Sequence, residues 1–125
     1  MKARKTTEDY LKTIYMLSRQ QEVHACMLAR HLGVSRPTVS VSLKRLAREG
    51  YLRVDSRNVI TLTPAGLETA RPVFARYQIL RQFLVSLGVD EDTAYRDACE
   101  MEHGLGDESC AALRRLALRQ EPDHG

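Results

Sequence analysis

The residues with the clearest chemical potential in this sequence are a thiol, a carboxylate and an imidazole near position 100. Cys99, Glu102 and His103 follow one another at spacings i, i+3 and i+4. If the segment is an α-helix, these side chains project from one face and can converge on one divalent transition metal ion. The spacing alone leaves open the ordinary alternative, a buried cysteine beside two solvated polar residues.

The charge of the chain is divided unevenly between its two halves. Residues 1–58 contain twelve Lys or Arg against five Asp or Glu, whereas residues 59–125 contain seven against eleven. A basic half favours a polyanionic partner such as nucleic acid. A basic face is often only a solvated surface. A DNA-binding motif is therefore needed to distinguish a nucleic-acid partner from a solvated surface.

A helix-turn-helix pattern lies within the basic half. Apolar spacing predicts a first helix over residues 8–20 and a second over residues 23–31, which Gly33 ends. Ser35 is the expected N-cap of a third helix over residues 37–48, which buries its apolar face and leaves a polar face outward. Such a third helix enters the major groove of DNA.

The candidate DNA contacts lie on the outer face of this third helix and at the tip of the hairpin that follows it. Polar groups near the start of the helix can bond bases or phosphates, Pro37 or Val41 can pack on a thymine methyl group, and the later basic residues suit phosphates. Any one of them can equally be an ordinary exposed residue. The candidates are Arg36, Pro37, Thr38, Ser40, Val41, Lys44, Arg45 and Arg57.

Two short strand-like runs follow the third helix. Residues 51–54 and 59–62 flank the polar turn set of residues 55–58, a pattern typical of a β-hairpin. A hairpin at this point of a helix-turn-helix protein is a wing, and it commonly rests on the DNA backbone.

The rest of the chain reads as helical. A long apolar pattern runs from Pro64 to Gly88, although Pro72 should end or kink its first segment. Asp90, Glu91 and Asp92 are expected to form the acidic N-terminus of a helix bearing the cysteine cluster, and a last helix is expected from Asp107 or Glu108. The apolar stripe of the long helix is wide for so small a protein, so we expect it to meet a partner subunit in a homodimer.

Together these patterns predict a mainly α protein. A winged helix-turn-helix domain with a small β-hairpin wing is expected over residues 1–63, and a helical metal-binding and dimerisation domain over residues 64–125. No run of eighteen apolar residues occurs, and no apolar segment follows the basic N-terminus, so we expect neither a membrane span nor a signal peptide, and a cytoplasmic location. Three cysteines without framework spacing fit reduced thiols. No nucleophile with a paired base and no phosphate loop is recognisable, so enzymatic turnover is not expected.

Four segments of the chain resemble the diphtheria toxin repressor family of iron- and manganese-dependent repressors. They are TTEDYLKTIY at residues 6–15, SRPTVS at 35–40, LTPAG at 62–66 and ACEMEH at 98–103. The resemblance covers nearly the whole chain. Since nothing follows residue 125 to form a third, SH3-like domain, the chain also resembles the shorter manganese transport regulator branch.

The resemblance implies a metal site shared between the first helix and the dimerisation helix, with the metal permitting operator binding by a homodimer. A set of one thiolate, one imidazole and two carboxylates suits Fe(II), Co(II) or Zn(II) and tolerates Mn(II) less well. The family favours Fe(II) or Mn(II), with Zn(II) and Co(II) compatible. The implied ligands are Asp9, Cys99, Glu102 and His103.

The sequence also departs from the manganese branch. That branch has a second carboxylate where Lys12 stands, a histidine where Tyr77 stands and a glutamate where Cys99 stands. Whether one or two ions bind is therefore open. A second hypothesis also stays open, that of a winged-helix regulator that answers an organic ligand or a redox signal without any metal.

Overall fold

The computed structural model describes residues 2–120 of the chain and the side chains of residues 7–116. In this part of the chain, three helices precede a two-stranded antiparallel sheet and three helices follow it. It divides into two compact units, Met1–Phe74 and Ala75–Gly125. None of the helices in the described part is long and apolar enough to cross a membrane. The elements are α1 (Lys2–Ser18), α2 (Ala25–Leu32), α3 (Arg36–Arg48), β1 (Leu52–Val54), β2 (Ile60–Leu62), α4 (Pro64–Ser86), α5 (Glu91–Gly104) and α6 (Asp107–Gln120).

The turn between α2 and α3 confirms the predicted helix-turn-helix. Gly33 ends α2 with a positive φ of 68°, a conformation that glycine adopts without strain, and its N–H donates to the carbonyl oxygen of Ala29 at 3.0 Å. Ser35 Oγ accepts the backbone N–H of Thr38 at 3.2 Å, and Pro37 lies in the first turn of α3, where an N–H is not needed.

Two predicted helix starts are wrong. The first helix begins at Lys2, well before residue 8, because the Lys, Ala and Arg residues at positions 2–5 are strong helix formers and extend it. The second begins at Ala25, because Val23 lies beside β2 and accepts the N–H of Ile60 at 2.8 Å. Backbone pairing with a distant strand here overrides the local helical pattern.

One apolar core holds α1, α2, α3 and the hairpin together. Its central side chains are fully or almost fully buried, and they include Leu11 and Ile14 from α1, Leu28 from α2, Val39 and Leu46 from α3, and Leu52 from β1. The beginning of α4 joins this unit through the edge-to-face pair of Phe74 and Tyr15, whose ring centroids are 5.3 Å apart. Because α3 is fixed to α1 through this core, any force that moves α1 also moves the outer face of α3.

The predicted β-hairpin is confirmed, with each strand one residue shorter at its start. Its tip is organised by Asp55, whose carboxylate accepts the backbone N–H of Arg57 at 2.8 Å and of Val59 at 3.0 Å. The hydrogen bond from Val59 is the main reason that the pKa of Asp55 lies below 3.8. Asn58 completes the turn with a positive φ of 64°.

The start of α4 is anchored to the end of α3. Thr63 Oγ1 caps the helix by accepting the N–H of Gly66 at 3.2 Å, and it donates to the carbonyl oxygen of Gly50 at 2.5 Å. A Cβ at Gly66 would overlap the carbonyl oxygen of Tyr51, so only glycine fits there. The helix continues through Pro72 to Ser86, so of the two expected effects of this proline, an end or a kink, the end does not occur. A helix this long tolerates the loss of one backbone hydrogen bond.

Candidate metal centre and nucleic-acid interface

The helix that carries the cysteine cluster forms as predicted. Asp90 caps α5 by accepting the backbone N–H groups of Asp92 at 3.1 Å and Thr93 at 3.3 Å. The acidic first turn is stabilised by the positive end of the helix dipole. The opposite end, where His103 lies in the last turn, carries partial negative charge that favours a cation.

In the described part of the second unit, α5 contacts α4 through an aromatic pair. Tyr77 and Tyr95 meet edge to face, with ring centroids 5.6 Å apart. Ala94 and Ala98 are both completely buried, and their small side chains let α5 approach its neighbours closely. The orientation of α5 about its own axis is therefore set by packing.

An arginine on α4 fixes the end of α5. Arg76 Nη2 donates to the carbonyl oxygen of Leu105 at 2.7 Å and lies 3.3 Å from Cys110 Sγ, while Nη1 lies 3.4 Å from the Asp107 carboxylate. Leu105 comes two residues after His103, so these bonds hold the chain just beyond the candidate ligands. Cys110 thus has a structural contact.

Glu102 and His103 form the core of the candidate metal centre. The Glu102 side chain is 1% exposed and the His103 side chain 8% exposed, and Glu102 Oε1 lies 3.9 Å from His103 Nε2. Two metal–ligand bonds of about 2.1 Å span about 4.2 Å end to end, so one ion fits between these atoms. A buried carboxylate and imidazole this close have the chemistry of a transition-metal site.

The structure does not bring the third α5 candidate into this pair. Cys99 is half-buried, and among the described side chains its Sγ does not lie within 4.8 Å of both the Glu102 carboxylate and the His103 ring. It occupies the same helix face one turn earlier, so rotation about its Cα–Cβ bond is what would turn the sulfur toward them.

The fourth candidate belongs to the first unit. Asp9 is half-buried on α1, one turn before Lys12. The Lys12 side chain is 2% exposed, which the sequence pattern did not indicate. Tyr77, at the position where the manganese branch has a histidine, is 4% exposed and engaged with an aromatic neighbour.

Most of the predicted DNA contacts lie on the exposed face of α3. Val41 is 68% exposed, an unusual exposure for a large apolar side chain. The Thr38 hydroxyl lies 2.8 Å from the hydroxyl of Ser35 within the cap. The exposed candidates are Arg36, Pro37, Thr38, Ser40, Val41 and Lys44.

The remaining two candidates are engaged by side chains of the same unit. Arg45 Nη1 lies 3.2 Å from Glu49 Oε1 and donates to Thr7 Oγ1 at 3.4 Å. Arg57 at the wing tip lies 3.0 Å from Glu22 Oε2, with the two side chains 67% and 57% exposed. Both arginines have to leave or share these partners in order to bind a phosphate.

An open groove of about 650 Å³ lies between α3 and the hairpin. Arg36 and Lys44 line it together with the polar His24 and Asn58, and none of the residues that line it is acidic. Sequence reasoning missed His24 and Asn58. In the sequence, His24 is marked only by its place near the start of the second helix, and Asn58 only by its place in the hairpin turn.

Family models match both parts of the chain. A model of the iron-dependent repressor N-terminal DNA-binding domain matches residues 3–58, and a model of the iron-dependent repressor metal-binding and dimerisation domain matches residues 63–123. The chain belongs to the iron-dependent repressor family. Its exposed α3 lies in the DNA-binding domain of this family, and the Glu102–His103 pair lies in the metal-binding and dimerisation domain.

Individual relatives of the family are transcriptional regulators. The chain is 36% identical over 117 residues to an uncharacterised HTH-type transcriptional regulator of Methanocaldococcus jannaschii, covering 91% of both chains. It is 37% identical over 123 residues to the transcriptional regulator MntR of Salmonella typhimurium, covering 98% of this chain and 76% of the relative. The diphtheria toxin repressor of Corynebacterium diphtheriae is 33% identical over 105 residues, which cover 82% of this chain and 46% of that protein.

Solved structures of the family share the fold. A manganese-dependent transcriptional repressor in complex with manganese superposes with a TM-score of 0.78 at 32% identity, covering 94% of this chain and 55% of that one. The repressor ScaR with bound Zn²⁺ gives 0.66 at 29% identity, covering 88% and 52%. The chain spans about half the length of these two proteins. The expected fold, a winged helix-turn-helix followed by a helical domain, is confirmed.

Proposed function

We propose that this protein is a metal-dependent transcriptional repressor that binds operator DNA as a cytoplasmic homodimer after it has bound a divalent metal ion. The observation that carries the proposal is the buried Glu102–His103 pair, in a chain whose α3 has an exposed face in the DNA-binding domain of the family. The relatives named above are regulators, and we propose no catalytic activity.

The proposed ligands come from two domains. Asp9 belongs to the domain of residues 1–63, whereas Cys99, Glu102 and His103 belong to that of residues 64–125. When it is bound, the ion would link the four side chains through coordinate bonds. The family favours Fe(II) or Mn(II) as the cellular metal, and the mixed oxygen, nitrogen and sulfur donors are also compatible with Zn(II) and Co(II).

The effect on DNA passes through the core of the first unit. Asp9 lies on α1, and Leu11 and Ile14 of the same helix are buried in one core with Leu46 of α3. Restraining α1 through Asp9 therefore restrains the recognition helix. A coupling of this kind is typically about 1–3 kcal/mol, which corresponds to roughly 5- to 150-fold in DNA affinity.

The DNA contacts that we propose centre on α3. The first turns of α3 enter the major groove, where exposed Val41 packs on a thymine methyl group. The groove between α3 and the hairpin receives the sugar-phosphate backbone, because Arg36 and Lys44 line it without an acidic neighbour. Arg45 and Arg57 add phosphate contacts after they leave their carboxylate partners.

Two exposed apolar side chains support a homodimer. Leu87, just after α4, is 61% exposed and Leu116 on α6 is 38% exposed. Apolar groups at the surface of a domain whose family model includes dimerisation favour burial against a second copy. Two recognition helices then face the two halves of one operator.

The test is a binding titration of full-length protein with an operator duplex selected from a random-sequence pool. We measure fluorescence anisotropy with Mn(II) and, separately, with EDTA. The parent should bind about tenfold or more tightly with Mn(II). His103→Ala should show equal affinity under both conditions while it stays dimeric in analytical ultracentrifugation.

The matched control is His31→Ala, which removes an exposed histidine from α2 and should behave like the parent. Equal DNA affinity of the parent with Mn(II) and with EDTA would contradict the proposal. That outcome would favour a regulator that answers an organic ligand or a redox signal.

A further inference from the structure

A buried lysine on α1 is explained neither by the DNA-reading surface nor by the apolar core. The Lys12 side chain is 2% exposed, whereas lysine is rarely this buried unless its charge is compensated. A lysine usually buries its aliphatic stem and keeps its ammonium in water, but an exposed fraction this small leaves the ammonium inside as well. The ammonium therefore needs an anionic partner.

The helix places two carboxylates within reach of Lys12, Glu8 four residues earlier and Asp9 three residues earlier, and of these Asp9 is the proposed metal ligand. Asp9 precedes Lys12 by three residues, so the two side chains are neighbours on one face of α1. Asp9 is half-buried, which weakens the screening of its charge by water. In our proposed function this same carboxylate is a metal ligand.

We infer that the Lys12 ammonium is an internal counter-ion of Asp9 that competes with the divalent metal and thereby sets the metal affinity of the regulator. This inference rests on the proposed function, since it takes Asp9 as a ligand. Lys12 is a positioning residue here and does not itself bind the ion.

The physical basis is that two cations compete for one carboxylate. In the metal-free protein the ammonium stabilises the Asp9 carboxylate, which would otherwise be partly buried without a counter-charge. When a metal ion binds to Asp9, the ammonium and the ion repel each other at short range in a medium of low dielectric constant. The lysine thus stabilises the metal-free state and weakens the metal-bound state.

This account predicts two opposite effects of removing the ammonium. The metal-free protein should lose thermal stability, whereas the affinity for metal should rise. A merely structural lysine would stabilise both states, and its removal would not tighten metal binding.

The experiment compares three variants of the full chain with the parent. Lys12→Met removes the ammonium and keeps most of the apolar stem, Lys12→Arg keeps the charge, and Arg30→Met removes an exposed cation from α2 as the control. Isothermal titration with Mn(II) gives the dissociation constant and the number of ions per chain. Thermal unfolding in EDTA gives the stability of the metal-free protein.

Lys12→Met should bind Mn(II) about tenfold more tightly than the parent, as expected when a unit charge at this range is removed. Its unfolding temperature in EDTA should fall. Lys12→Arg and Arg30→Met should stay within about twofold of the parent. Unchanged or weaker Mn(II) binding by Lys12→Met would overturn the inference. If Lys12→Met does not fold in EDTA, Lys12→Gln is measured in its place with the same expectations.

Asp9→Asn separates this inference from the proposed function. If the parent binds Mn(II), Asp9→Asn weakens binding and Lys12→Met changes nothing, the inference about Lys12 alone is wrong. If Asp9→Asn binds Mn(II) as tightly as the parent, Asp9 is not a ligand and the proposed metal link fails with it.

Discussion

Glu22 and a DNA phosphate should compete for Arg57. The arginine lies 3.0 Å from the Glu22 carboxylate, and both side chains are more than half exposed. An exposed ion pair of this kind is worth about 0.2–1 kcal/mol. Glu22→Gln removes that cost of freeing Arg57, so DNA affinity should rise by roughly 1.4- to 5-fold for each wing that contacts DNA.

The salt dependence distinguishes the two partners of the pair. Arg57→Gln removes one phosphate contact and should lower the slope of log affinity against log salt by about 0.9 for each wing. Glu22→Gln keeps the number of phosphate contacts, so its slope should match that of the parent. Both are measured by fluorescence anisotropy with metal-loaded protein between about 50 and 200 mM salt.

A double-mutant cycle decides whether the effect passes through Arg57. In the background of Arg57→Gln, the substitution Glu22→Gln should no longer raise DNA affinity. If it raises affinity by the same factor in both backgrounds, the gain comes from the general loss of negative charge. The specific competition for Arg57 would then be refuted.

Three further predictions follow from single contacts. Gly66→Ala should destabilise the protein by about 1–3 kcal/mol in thermal or denaturant unfolding, because its Cβ overlaps the carbonyl oxygen of Tyr51, whereas Gly104→Ala meets nothing within 4 Å and should not destabilise it. The lowered pKa of Asp55 means that its contribution to wing stability is present above pH 3.8 and is lost as the pH falls through the folded-state pKa. The amide signals of the hairpin turn should report this loss in an NMR titration, and Asp55→Asn should abolish the acid transition. Co(II)-loaded protein should show a thiolate-to-metal charge-transfer band that Cys99→Ser lacks, and a parent without this band would remove the thiol from the ligand set.

Local signals in the sequence were sufficient for most of the fold. Gly33 and Ser35 mark the turn of the helix-turn-helix because a positive φ and a side-chain cap are properties of single residues. Thr63 and Asp90 mark the starts of α4 and α5 for the same reason. These features depend on a few neighbouring residues, which a sequence pattern contains.

Long-range contacts were outside the reach of those signals. Val23 reads as helical but pairs with Ile60, and Glu22 binds an arginine 35 positions later. Nothing in a local window indicates either partner. The same limit applies to the wing, whose turn was predicted but whose neighbours were not.

Residue spacing indicated the candidate metal site, but it did not indicate the direction of the Cys99 sulfur or the burial of Lys12. Helical periodicity places Glu102 and His103 three and four residues after Cys99, and in the structure Glu102 Oε1 and His103 Nε2 lie 3.9 Å apart. The direction of the Cys99 sulfur depends on a side-chain rotamer, and the burial of Lys12 depends on tertiary packing. Periodicity gives neither of these.

The most direct test of the link between metal and DNA is the affinity for Mn(II) with and without operator. Thermodynamic linkage requires that DNA tighten metal binding by the same factor by which metal tightens DNA binding. Calorimetric titration of the parent with Mn(II), free and saturated with operator duplex, measures this factor. We predict tighter Mn(II) binding by roughly 5- to 150-fold in the presence of operator. An identical dissociation constant for Mn(II) in both titrations would contradict the account.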